Sequence, residues 1–116
     1  MFGKKSSNGY HEILAGINIK TIVFGEKTLM TEFVLRKGSQ LPEHTHNHEQ
    51  TGYLIKGKMK MYLGSQSRIL NSGDSWCVPS NRVHKADVLE DSLAIEVFSP
   101  NREEYLKYLN KEDIEE

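Results

Sequence analysis

The sequence predicts an all-β protein, a sandwich or a closed antiparallel barrel, with one short helix near its C-terminal end. Three observations predict it. Most apolar residues alternate with polar ones, turn-forming residues interrupt these runs at short and near-even intervals, and only the last segment changes to helical spacing. Many short strands so spaced are the pattern of sandwiches and barrels. With 116 residues the chain is long enough for one closed core.

Taken in order, Ile17 and Ile19 alternate with Asn18 and Lys20 in an N-terminal strand segment covering about residues 11–25. The barrel follows over about 28–98. Within it Met59, Met61 and Leu63 share a face against Lys58, Lys60 and Tyr62, and 76–78, 83–89 and 93–98 are short runs rich in β-branched or aromatic residues. Turns fall at Gly25, Lys37-Gly38, Lys56-Gly57, Gly64-Ser65, at 71–74 and 79–81, and at Glu90-Asp91. Ser99 and Pro100 then open a helix over about 100–110, with Glu103 and Glu104 at the positive end of its dipole and Tyr105, Leu106 and Leu109 on its packed face. The terminal Lys-Glu-Asp-Ile-Glu-Glu is expected to fray. No repeat and no linker divides the chain, so a single domain over 1–116 is expected.

Fifteen basic and sixteen acidic residues leave a formal charge of −1, which gives no electrostatic drive toward nucleic acid or an anionic membrane. The single cysteine, Cys77, excludes an internal disulfide and is expected as a small buried apolar residue. The opening residues lack the apolar stretch of a signal peptide, and no run is long enough to span a bilayer, so a cytoplasmic protein is expected. Met30, Met59 and Met61 read as core filler or as lining of a pocket mouth, and His11 as structural or surface. A small barrel with an open edge strand favours a homodimer paired through residues 13–23.

The chemistry concentrates in Gly38-Ser-Gln-Leu-Pro-Glu-His44-Thr-His46-Asn-His48-Glu-Gln50. On an extended chain His44 and His46 point to the same side with Cα atoms about 6.5 Å apart. Two imidazoles so placed can converge on one ion through bonds of about 2.0–2.1 Å. Gln50 keeps the parity and can offer its carbonyl oxygen. His84, delivered by the turn after Pro79, supplies a ligand from another strand. The expected cofactor is therefore one divalent transition metal held by His44, His46, Gln50 and His84. Ni, Fe, Mn, Zn and Cu all suit that donor set. The competing reading is a polar, metal-free pocket. His48 shares the parity but reads as a supporting or rim residue.

These residues carry a resemblance. Gly38, His44, His46, Gln50 and Gly57 match Gly-x5-His-x-His-x3-[Glu/Gln]-x6-Gly, the first motif of the cupins, and Gly73, Pro79 and His84 match the second, Gly-x5-Pro-x-Gly-x2-His. The chain thus resembles the smallest single-domain cupins over about residues 30–98, which implies a double-stranded β-helix, or jelly-roll barrel. Two positions depart from the pattern. Asn81 replaces the inner glycine of the second motif, a mild change because Asn tolerates left-handed backbone angles. Gln50 replaces an acidic ligand and leaves the charge of the ion uncompensated, which favours an anionic substrate or a bound hydroxide.

On the last strand Ala94, Glu96 and Phe98 share a parity, and Arg102 follows the exit turn. Read from residues alone, Glu96 and Arg102 either face the barrel interior and mouth or are solvated. The closing run Glu96-Val-Phe98-Ser-Pro-Asn-Arg102 resembles that of small cupins of pectin and uronate degradation, which usually have Asp where Glu96 stands. Those enzymes convert a cyclic 4,5-unsaturated uronate into its linear keto form. The resemblance implies Glu96 as acid/base, Phe98 lining the sugar pocket and Arg102 holding the carboxylate of a small anionic sugar acid. The alternatives are a cupin dioxygenase with the same ligands and a non-catalytic sugar-acid or metal-binding module.

Overall fold

The computed structural model describes residues 1–116. In chain order the strands are β1 (Phe2–Gly3), β2 (His11–Leu14), β3 (Ile17–Phe24), β4 (Leu29–Leu35), β5 (Gln40–His44), β6 (Glu49–Leu63), β7 (Gln66–Asn71), β8 (Ser75–Val78), β9 (His84–Ser99) and β10 (Ile114–Glu115). The main sheet runs β2-β3-β4-β9-β6-β7, with β5 added to β9 and β8 added to β6, and β1 pairs with β10 in a separate ribbon. Every pairing within these two sheets is antiparallel.

The long strands β6 and β9 close the sheet on itself. They pair from Glu49↔Ser99 to Leu63↔His84 with bulges around Lys56. One end of β9 also holds β5 and its other end holds β4. Likewise one end of β6 holds β8 and the other β7. The corner is Gly57, at φ 112°. A Cβ there would lie 2.1 Å from Ser92 Oγ and 2.6 Å from Ser92 Cα, so only glycine lets the two strands cross. Ser92 Oγ in turn accepts the Lys58 N–H at 3.1 Å.

Ile17, Ile19, Phe33, Leu35, Leu54, Met59, Leu70, Ala86, Val88 and Ala94 form the core. Met59 belongs to it and Met61 lines the cavity of the candidate site, whereas Met30 borders a groove outside the barrel. Cys77, expected buried, is exposed. It alternates with Val78, which points inward, and β8 has only β6 beside it, so nothing covers its outer face.

The C-terminal segment differs from expectation. In place of a helix over 100–110 there is a 3₁₀ turn, Glu103–Tyr108, with Arg102 before it and no side-chain cap. Thr21 Oγ1 donates to Tyr105 O at 2.6 Å, and the Leu109 N–H turns to Leu106 O at 3.1 Å. Losing Tyr105 O to Thr21 removes the acceptor that an α-helical turn would use. The last residues do not fray either: Lys111–Asp113 form a second 3₁₀ turn and β10 pairs with β1. The cause is Lys20, buried under the N-terminal segment with Nζ 3.2 Å from Asp113 Oδ2 and 3.0 Å from Ser6 O and Asn8 O. A buried ammonium must be partnered, so Lys20 ties both ends of the chain to β3.

Candidate metal centre and its surroundings

His44 ends β5 directly opposite His84, the first residue of β9. His46 lies beyond the strand, just before the bend at Asn47-His48 that leads into β6, and Gln50 is the second residue of β6. Asn81 adopts φ 65°, as the glycine of the second motif would, and its N–H donates to His46 O at 2.8 Å. One hydrogen bond thus locks the two motifs together. His44, His46 and His84 each bring one ring nitrogen within 4.8 Å of the others. Their ring centroids lie 4.0 Å (44 and 84), 5.0 Å (46 and 84) and 5.6 Å (44 and 46) apart.

The hydrogen bonds around the rings decide their tautomers. Nδ1 of His44 meets Pro42 O at 2.7 Å, Nδ1 of His46 meets His48 O at 2.9 Å, and Nδ1 of His84 meets Arg82 O at 2.9 Å. Carbonyls accept only, so each Nδ1 carries the proton and each Nε2 of a neutral ring presents a lone pair. Burial holds His84 down at about 4, and burial followed by the nearby Arg102 charge lowers His46, so both are neutral at pH 7. The buried Nε2 of His84 has no hydrogen-bond partner. Nε2 of His46 lies 2.7 Å from Gln50 Oε1, two lone pairs facing each other. That contact is repulsive unless a cation sits against both, and a separation near 3 Å is what adjacent ligands with bonds of about 2.0–2.1 Å require. The donor set fits a divalent metal. His48 stays outside the cluster, supporting His46 through its carbonyl, and its own Nδ1 is buried without a partner.

Glu96 faces the interior at 7% exposure. Gln50 Nε2 donates to Glu96 Oε2, so one amide touches both the cluster and the carboxyl. Burial pushes Glu96 up to about 7, against the Trp76 indole, the Gln50 amide and the Arg102 charge, which favour the ionised form. Phe98, 1% exposed, stands edge-on to His46, with centroids 6.0 Å apart. The Arg102 side chain is 13% exposed. Its guanidinium lies 4.1 Å from the Tyr105 ring and 5.0 Å from Phe98, and Nε donates to Glu104 Oε1 at 2.7 Å. Glu96 therefore faces the barrel interior and Arg102 its mouth, not bulk solvent. The cavity is lined by His44, Gln50, His84, Glu96, Phe98 and Arg102, with Tyr105, Ile13 and Met61 among its other walls. Tyr105 was legible only as a packing residue. Its spacing of three from Arg102 was the available signal.

The Cupin domain model matches residues 31–99. The chain belongs to the cupin family. Among curated proteins it is similar to the pectin degradation protein KdgF of Dickeya dadantii, 30% identical over 99 residues that cover 84% of this chain and 90% of that one. It also matches quercetin 2,3-dioxygenase of Bacillus subtilis, 33% identical over 78 residues, 62% of this chain but only 23% of the dioxygenase. Among solved structures it is similar to KdgF from a Halomonas species, at a TM-score of 0.85 and 28% identity, covering 90% of this chain and 98% of the other. An RmlC-like cupin from Shewanella frigidimarina gives 0.85 and 25%, covering 90% and 94%. In a cupin, a three-histidine cluster of this kind suggests a divalent metal ion. No helix is long and apolar enough to cross a membrane.

Proposed function

We propose that this cupin is a metal-dependent enzyme that opens cyclic 4,5-unsaturated uronate to its linear keto form. The observation that carries the reading is Glu96, a carboxyl buried beside three inward-facing histidines and poised near 7, below a mouth guarded by Arg102. The similarity to KdgF proteins supports it.

His44, His46, His84 and Gln50 would hold the ion, which when bound supplies Lewis acidity toward a substrate oxygen. Arg102 pairs with the uronate carboxylate through the guanidinium edge that Glu104 leaves free. Phe98 and Tyr105 supply flat walls for the ring. Glu96 accepts the anomeric hydroxyl proton as the C1–O5 bond breaks, C1 becomes the aldehyde and the bonding pair stays on O5 as an enolate. Glu96 then delivers the same proton to C4 as the enolate collapses to the C5 ketone, so substrate and product are isomers. A group near neutrality serves both directions of transfer. The test mixes protein loaded in turn with Ni, Fe, Mn, Cu or Zn with unsaturated galacturonate and follows loss of its ultraviolet absorbance. Turnover with at least one metal is expected, and none above buffer with any would refute the proposal.

The dioxygenase match supports a second reading, oxygen-dependent cleavage at the same ligands. Oxygen uptake with an electron-rich aromatic substrate, absent with the uronate, would favour it. A binding module would show saturable uronate binding without turnover.

A further inference from the structure

Trp76 on β8 pairs with Gly52 on β6, and Gly52 pairs with Glu96 on β9. The three positions form one row across neighbouring strands, and residues directly opposite each other point to the same side. Strands lie about 4.8 Å apart, so a side chain at the middle position would separate the outer two. Here the middle residue has none. A Cβ at Gly52 would fall 2.1, 2.3 and 2.4 Å from Cε2, Cζ2 and Nε1 of Trp76, so the N–H edge of the indole occupies the space a side chain at 52 would fill. Gly52 is not in a left-handed conformation, and its backbone alone does not call for glycine. The room for the indole does.

The edge of the indole that carries the N–H thus lies over Gly52, the residue between Trp76 and Glu96 in this row. Nε1 is sealed from water and lacks a partner at hydrogen-bonding geometry, an arrangement that costs stability unless the donor is used. Gln50 donates to Oε2 of Glu96, and the Trp76 indole, like the Gln50 amide, favours the ionised form of this carboxyl. Trp76 also packs against the core cluster.

We propose that Trp76 is a positioning residue: admitted by Gly52, its indole N–H is the second donor to Glu96, beside Gln50, and orients the carboxyl toward substrate. This rests on the proposed uronate chemistry, in which Glu96 moves the protons. Two donors at a fixed angle leave the carboxyl one rotamer, which a proton transfer needs more than substrate binding does.

Trp76 is the sole tryptophan, so its emission reads the contact with or without turnover. Glu96→Ala is expected to move the emission maximum of the metal-free protein to shorter wavelength, whereas Glu26→Gln, in an exposed turn, leaves it in place. In the uronate assay Trp76→Phe is expected to lower kcat on the order of tenfold to a hundredfold, with KM within about twofold and metal content unchanged. Gly52→Ala should give the same loss by displacing the indole, and the double variant should be no worse than either alone. Unchanged emission in Glu96→Ala overturns the proposal even if Gly52→Ala does not fold. So does a Trp76→Phe variant that keeps its kcat, or one that only raises KM, which would make the indole a substrate contact. Wild-type protein without turnover would refute the uronate reading alone, and the emission arm would still decide the Trp76–Glu96 contact.

Discussion

Replacing Glu96 by Gln separates what this carboxyl costs the fold from what it contributes to chemistry. Burial lifts the group from an ordinary 4.5 to about 7. A folded-state value above the ordinary one means that folding favours the protonated form. The associated stability is whole below about pH 4.5 and is lost as pH rises through about 7. Above pH 7 the ionised carboxyl therefore penalises the metal-free fold by about 3 kcal/mol. Gln at 96 cannot ionise, and its carbonyl can still accept the Gln50 amide that now reaches Glu96. Thermal melts in the presence of chelator should show Glu96→Gln above wild type at pH 8 by roughly 10 °C, with the two converging near pH 4. Uronate turnover by the metal-loaded variant should fall by about 10²–10⁴ through loss of the proton carrier. A variant that melts at or below wild type at pH 8 would refute the reasoning, because the carboxyl would then not be desolvated in the barrel.

His84→Ala should abolish stoichiometric metal retention after dialysis, measured by elemental analysis, since His84 contributes the one unpartnered buried Nε2. Asn81→Gly should keep the melting temperature within a few degrees, because φ 65° suits both residues, whereas Asn81→Val should cost about 1–3 kcal/mol in a denaturant titration. Static light scattering at micromolar concentration should give twice the 13.3 kDa chain mass, since β2 is an edge strand with β3 as its only partner. A monomer mass would end the homodimer proposal.

The fold was largely legible because a closed barrel leaves a strong period-two trace. Ile17, Ile19 and Met59 share the apolar parity of their strands and are buried, and burial of Ala94, Glu96 and Phe98 resolves the face that the sequence left open on the last strand. The histidines were legible for the same reason, although His46 stands past the end of β5 and outside any strand. What the sequence hid was long-range. Nothing local to residues 105–109 reveals that Thr21 captures a carbonyl and tightens the turn, or that Lys20 needs Asp113. A lysine alternating with Ile19 reads as solvated. Only the strap of residues 4–10 laid over it changes that. Cys77 misled because its neighbours are apolar, yet parity on an uncovered edge strand sent it outward.

Gln50 connects the two halves of the site, and its chemistry explains the departure from an acidic ligand. Its oxygen lies against His46 Nε2 while its N–H₂ donates to Glu96. A Glu at this position would set two carboxylates in contact inside the barrel, and one of them would have to hold a proton that neither the metal nor the reaction could then use freely. An amide avoids this. It offers a lone pair to a cation on one side and a proton to a carboxylate on the other, which no acidic side chain does when ionised. If Gln50 completes the ligand set as proposed, the neutral amide and the buried Glu96 are one arrangement: the negative charge that an acidic ligand would place beside the ion sits one residue further out, on the group proposed to carry protons.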